Sequence, residues 1–178
     1  MLLNRPPADE EIVIEMNSDH VNLLRTIRDH PRSLIEQLRP TRWSKNTFEF
    51  SKLLLEGRPW DDRVSRAALY YTVRKMSRGG EGRTYSHSFE INQQRWWDNG
   101  VSDLWRVSER LRGVKILEGD ALDWLATLDG PETLYYLDPP YVRSARSSAR
   151  LYGQFEMEDD AHRSLCRLIR TLKCTGSP

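Results

Sequence analysis

Apolar residues recur along this chain at helical spacing in its first two thirds and alternate with short β-branched runs in its last third. Glu11-Ile12-Val13-Ile14 is a compact apolar run that predicts a buried strand. A helix follows, with Asp19 as its expected cap and Val21, Leu24 and Ile27 on one face, and His30-Pro31 breaks it. Leu34, Ile35 and Leu38 mark a second helix ending near Pro40. Residues 48–55 and 63–76 both carry helical apolar spacing, and Gly79-Gly80-Glu81-Gly82 interrupts it. Residues 84–100 are polar, contain Trp96-Trp97, and resist assignment; helix resumes over 101–111. Trp96 and Trp97 read as core in preference to stacking groups. Beyond them come a strand at 114–117, a helix at 121–128, a strand at 133–137 and a helix at 159–172.

Strands alternating with helices imply crossovers and a parallel sheet, hence an α/β domain carrying a helical insertion. Open sheets of this kind bind ligands beyond the carboxyl ends of their strands. Three such ends present acids: Glu15, then Glu118-Gly119-Asp120, then Asp138-Pro139-Pro140-Tyr141. The last is the most informative. Its two prolines stiffen the backbone and supply no amide hydrogen, so a carboxylate, free carbonyls and an aromatic face meet in a small volume. That combination suits a flat base with an amino group, whose hydrogens the acceptors take while the ring stacks.

Charge and composition narrow the setting. The 178 residues carry 27 basic and 26 acidic side chains, a net charge of +1, which neither demands nor excludes a polyanionic partner. Basic residues are locally concentrated, with Arg74, Lys75, Arg78 and Arg83 in one stretch and Arg143, Arg146 and Arg150 in another. Both read as phosphate-binding loops, and the glycine cluster between the first set reads as a flexible DNA-facing turn. It is not a nucleotide loop, because no strand precedes it and no Gly-Lys-Ser follows. Cys166 and Cys174 are expected to be free thiols, and His20, His30, His87 and His162 lack metal-site spacing, so no metal is expected. No apolar run approaches the roughly 20 residues of a membrane span, and no secretory signal is evident at the start; the cytoplasm is the expected location.

Leu137-Asp138-Pro139-Pro140-Tyr141 resembles the catalytic loop of Dam-type DNA adenine methyltransferases. Residues 11–22, with Glu15-Met16-Asn17-Ser18-Asp19, resemble that family's early strand, acidic turn and helix; residues 66–80 resemble its central helix and glycine loop, and 112–121 a later strand. The resemblance implies a Rossmann-like, S-adenosylmethionine-dependent methyltransferase fold with 1–40 and 112–178 in the methyltransferase domain and 41–111 as a DNA-recognition insertion. It implies that Glu15 takes the cofactor's ribose hydroxyls and Asp120 contacts its adenine. Asp138, Pro139, Pro140 and Tyr141 would then hold a flipped adenine of double-stranded DNA, and a cognate restriction nuclease is an expected partner. The family's glycine-rich cofactor loop has no counterpart here, and the chain stops where the family continues. A copy shortened at both ends, weak in cofactor binding and activity, is therefore expected. An inactive DNA-binding remnant, or a methyltransferase acting on cytosine or protein glutamine, stays open beside the adenine reading.

Overall fold

Strand β1 (Glu11–Glu15) pairs with β2 (Val114–Glu118) in a small parallel two-stranded sheet, and among the described residues five α-helices and one short 3-10 helix lie between them in the chain. The computed structural model describes residues 2–57, 59–88, 92–142 and 155–173. It divides into two compact units, Met1–Leu117 and Glu118–Pro178. Along β2, Val114 and Ile116 are buried and Lys115 is exposed, the two-residue period of a strand with one covered face.

Helix α1 (Ser18–Asp29) is capped by Asn17, not by Asp19 as expected. Asn17 has the extended backbone a cap requires, and its Oδ1 accepts from the amides of Asp19 and His20 at 3.0 and 3.3 Å. Asp19 already lies inside the first turn, where its carboxylate receives Arg66 Nε at 2.6 Å. Pro31 opens α2 (Pro31–Leu38), where its missing amide leaves no helical bond unmade, so His30-Pro31 ends one helix and starts the next. Helices α3 (Lys45–Gly57) and α4 (Arg63–Met76) match the expected periodic segments.

Helix α5 (Gln93–Leu111) begins well before the expected 101. Asn92 caps it by accepting from the Arg95 amide at 3.0 Å, and Trp97, Val101, Leu104, Ser108 and Leu111 form its buried face. Polar neighbours and Gly100 masked that spacing in the sequence. Trp97 is fully enclosed, whereas Trp96 remains 45% exposed, so only one of the pair is core. Val21, Ile27, Leu34, Leu38, Phe48, Met76 and Trp97 belong to one apolar cluster drawn from all five helices. Arg110 of α5 grips Glu11 of β1 through its two terminal guanidinium nitrogens, at 2.5 and 2.6 Å.

The second unit holds α6 (Ala121–Leu125) and α7 (Asp159–Ile169), both shorter than expected, with Leu125 and Leu165 buried. The expected strand at 133–137 does not form a ladder among the described residues. Its alternation survives: Leu134 and Tyr136 are 68% and 65% exposed, while 133, 135 and 137 are half-buried. A strand needs a neighbour for its amides and carbonyls, and β1 pairs with β2 instead. Tyr135 Oη donates to the Leu125 carbonyl at 2.9 Å and anchors the segment.

Candidate functional site

In the second unit, the segment Asp138-Pro139-Pro140-Tyr141 follows directly on the extended stretch. Asp138 is exposed, both prolines are half-buried, and the Tyr141 ring is 68% exposed. Neither proline has an amide hydrogen, so the segment's carbonyls draw on donors elsewhere. One comes from α7: His162 Nε2 lies 2.7 Å from the Pro140 carbonyl oxygen. A cleft of about 420 Å³ next to this segment is lined by Val142, His162, Arg163, Cys166, Arg167 and Arg170. The spacing of the arginines, i, i+4 and i+7, puts them on one face of α7, a signal available in the sequence but not read there. Cys166 is a free, exposed thiol, and Cys174 lies outside the described residues.

Asp120, also in this unit, caps α6. Its Oδ1 accepts from the Leu122 amide at 2.9 Å and keeps lone pairs for other donors. The turn before it needs glycine, because Gly119 has φ 146° and an added Cβ would sit 3.1 Å from Trp124 Nε1.

In the first unit, Glu15 ends β1 with both carboxylate oxygens engaged. Oε1 accepts from the Asn17 amide at 2.8 Å and Oε2 from His20 Nδ1 at 2.8 Å. Burial alone would raise the Glu15 pKa, but the hydrogen bond from His20 and the amides of Asn17 and Met16 outweigh it and hold the carboxyl below its usual range. These donors do not use all of its lone pairs, so the carboxylate can still accept from a hydroxyl of a vicinal diol. His20 has no metal spacing in the sequence; its role appears only through this contact.

The lowered pKa makes a prediction. Ionised Glu15 contributes stability that is fully present above its unfolded pKa of about 4.3 and is lost as pH falls through the folded value. Glu15→Gln should therefore be less stable at neutral pH and show a flatter acid limb in urea unfolding. Parallel stability–pH curves for the two proteins would refute this.

A larger cleft, about 580 Å³, opens among His20, Trp43, Tyr70, Arg74, Lys75 and Trp96, with Ser77 and Ser86 among its polar lining. Lys75 Nζ sits 3.6 Å from the Trp96 ring centroid, and burial lowers its pKa against the opposing charge of Asp103. Arg74 donates to the Glu81 carbonyl at 3.0 Å and lies over Tyr70 at 5.7 Å. Arg78 and Arg83 are exposed. The glycine cluster, expected as a flexible turn, is cross-linked: Ser77 Oγ accepts from the Gly82 amide at 2.8 Å, and the Arg78 amide donates to the Thr84 carbonyl at 2.8 Å. Gly79, Gly80 and Gly82 all have positive φ, which a side chain would resist. Arg143, Arg146 and Arg150 lie outside the described residues. Among the described residues, no group of His, Cys, Asp and Glu is placed to hold a metal, and no helix is long and apolar enough to cross a membrane.

A sequence model of the D12 class N6 adenine-specific DNA methyltransferases matches residues 4–177. The chain belongs to that family. Its members are enzymes that methylate adenine in DNA, and DNA is therefore the macromolecular substrate of this methyltransferase class. Methyltransferases generally use S-adenosylmethionine as donor. No curated protein matches the chain.

Proposed function

We propose that this D12-class chain transfers a methyl group to the amino nitrogen of an adenine extruded from double-stranded DNA, using Asp138, Pro139, Pro140 and Tyr141. The reading is supported above all by the Asp138-Pro139-Pro140-Tyr141 segment, whose carboxylate and ring are both open to a ligand. The adenine amino nitrogen is a weak nucleophile because its lone pair delocalises into the ring. The Asp138 carboxylate and the Pro139 carbonyl accept hydrogen bonds from its two N–H groups, draw the nitrogen toward tetrahedral geometry and localise that pair; the proton the nitrogen loses on methylation passes by way of the exposed Asp138 carboxylate to solvent. Tyr141 stacks on the base, so positioning and electrostatics supply the catalysis. S-adenosylmethionine, when bound, supplies an electrophilic methyl group on a sulfonium.

Glu15 is assigned to the ribose hydroxyls of that donor, and Asp120 to its adenine, within a Rossmann-like arrangement formed by 1–40 and 112–178. Helices in 41–111 form the DNA-recognition region. Arg74, Lys75, Arg78 and Arg83, with Arg143 and Arg146, are assigned to phosphates; Lys75, half-buried over Trp96, is better suited to a contact inside the cleft. A restriction–modification role with a cognate nuclease, in the cytoplasm, completes the reading.

Incubation with methyl-labelled donor and mixed-sequence DNA, followed by digestion to nucleosides, tests it. The expected label is in N6-methyladenine. Label in cytosine, label in protein glutamine, or DNA binding in a gel shift without any transfer would each overturn the proposal.

A further inference from the structure

The Pro139-Pro140 pair creates a local problem. Two consecutive residues without an amide hydrogen leave the segment few donors for its own carbonyls, although the proposed chemistry depends on one of them. The described structure supplies an outside donor to the adjoining carbonyl. His162 stands in the first turn of α7 and brings Nε2 to 2.7 Å from the Pro140 oxygen. A carbonyl has no hydrogen to give, so the ring nitrogen facing it carries one. The Glu158 carbonyl, at the start of α7, accepts the His162 backbone amide at 3.1 Å and so fixes the ring's base in the helix. His162 thus ties α7 to the proline corner through Nε2, within one compact unit. His162 is half-buried, which shields this bond from competing water.

From this geometry we infer that His162 is a positioning residue: its Nε2 hydrogen holds the Pro140 carbonyl and so sets the orientation of the Pro139 carbonyl, Asp138 and Tyr141 toward the base. The inference rests on the assignment of adenine to that segment and adds to it a residue that touches neither base nor donor. It acts through the peptide unit that Pro140 shares with Tyr141. Rotation of that unit would swing the tyrosine ring off the base and tilt the carbonyl before it. A misplacement of about 1 Å in such a site costs on the order of 10²-fold in rate.

Two substitutions that conserve bulk separate positioning from packing. His162→Phe keeps a ring and removes the donor; His162→Gln restores a donor at nearly the same reach. The hydrogen bond itself is read from the NMR shift of the Pro140 carbonyl carbon, correlated through the Tyr141 amide, and methyl transfer from labelled S-adenosylmethionine to mixed DNA is measured on the full chain. His162→Phe should move that carbonyl carbon upfield, as loss of its hydrogen bond requires. It should lower kcat by about 10–10²-fold with the donor KM unchanged. His162→Gln should recover most of both. A carbonyl shift and kcat equal to wild type in His162→Phe would overturn the inference, as would a glutamine variant no better than phenylalanine. If wild type labels cytosine or nothing while His162→Phe still moves the Pro140 carbonyl shift, the adenine reading fails and the contact from α7 stands.

Discussion

Asp138→Ala is expected to lower methyl transfer by at least about 10²–10³-fold, the range found when one preorganised polar group is removed from a transition state. The carboxylate is assigned to a hydrogen on the adenine nitrogen, a contact that strengthens as the nitrogen becomes tetrahedral. The loss should therefore fall on kcat, with the donor KM little changed. Because Asp138 is exposed, its removal leaves no cavity, and stability should stay within about 0.5 kcal/mol of wild type. Asp138→Asn keeps one acceptor oxygen but adds an amide that cannot accept, and should fall between the two. Steady-state transfer of labelled methyl to DNA, beside urea unfolding of each variant, checks both halves. Unimpaired turnover by Asp138→Ala would remove the residue from the chemistry.

Trp97→Ala should destabilise the first unit by about 3–5 kcal/mol, a large part of the roughly 5–15 kcal/mol that holds a domain folded. The indole is 0% exposed, meets Tyr71 edge-on at 5.4 Å and Trp43 at 6.4 Å, and donates from Nε1 to the Leu38 carbonyl at 3.3 Å. Truncation opens a cavity between α5, Leu38 of α2 and Tyr71 of α4 and removes one of that carbonyl's two donors, the Thr41 amide remaining at 3.1 Å. Trp97→Phe should cost less, since it retains a ring and loses mainly the hydrogen bond. Its neighbour provides the contrast. Trp96→Ala loses the Lys75 contact and an edge contact with Trp43 at 5.5 Å, together worth about 1–2 kcal/mol at a partly exposed site. Urea midpoints of the three variants read the difference, and equal losses at 96 and 97 would contradict the burial described for α5.

Short-range rules made much of this protein legible before any coordinates. The apolar spacing of Leu34, Ile35 and Leu38, the β-branched run before Glu15 and the helical period over 63–76 each express backbone geometry within a few residues. The same holds for Pro31, whose ring fits a first helical turn, and for Asp138-Pro139-Pro140-Tyr141, whose stiffness is written in its own composition. That segment, with the acidic turn at Glu15, carried the family resemblance that the match over 4–177 bears out.

Long-range contacts decided the rest. Residues 133–137 have the alternation of a strand, yet strand formation depends on a partner's amides, and no pattern internal to those five residues supplies one. Trp96 and Trp97 are adjacent and chemically alike; only the docking of α5 against α1 and α2, with Tyr71 and Lys75 of α4 beside it, determines that one is enclosed and the other holds Lys75. Asn17 rather than Asp19 became the cap because the cap is the residue left extended, which depends on where β1 releases the chain. His162 reaches the Pro140 carbonyl from 22 positions away, a distance over which sequence spacing carries no information. Periodicity and stiffness are properties of neighbouring residues and survive in a one-dimensional string. Hydrogen-bond partners and burial are properties of folded space and exist only once the helices have packed.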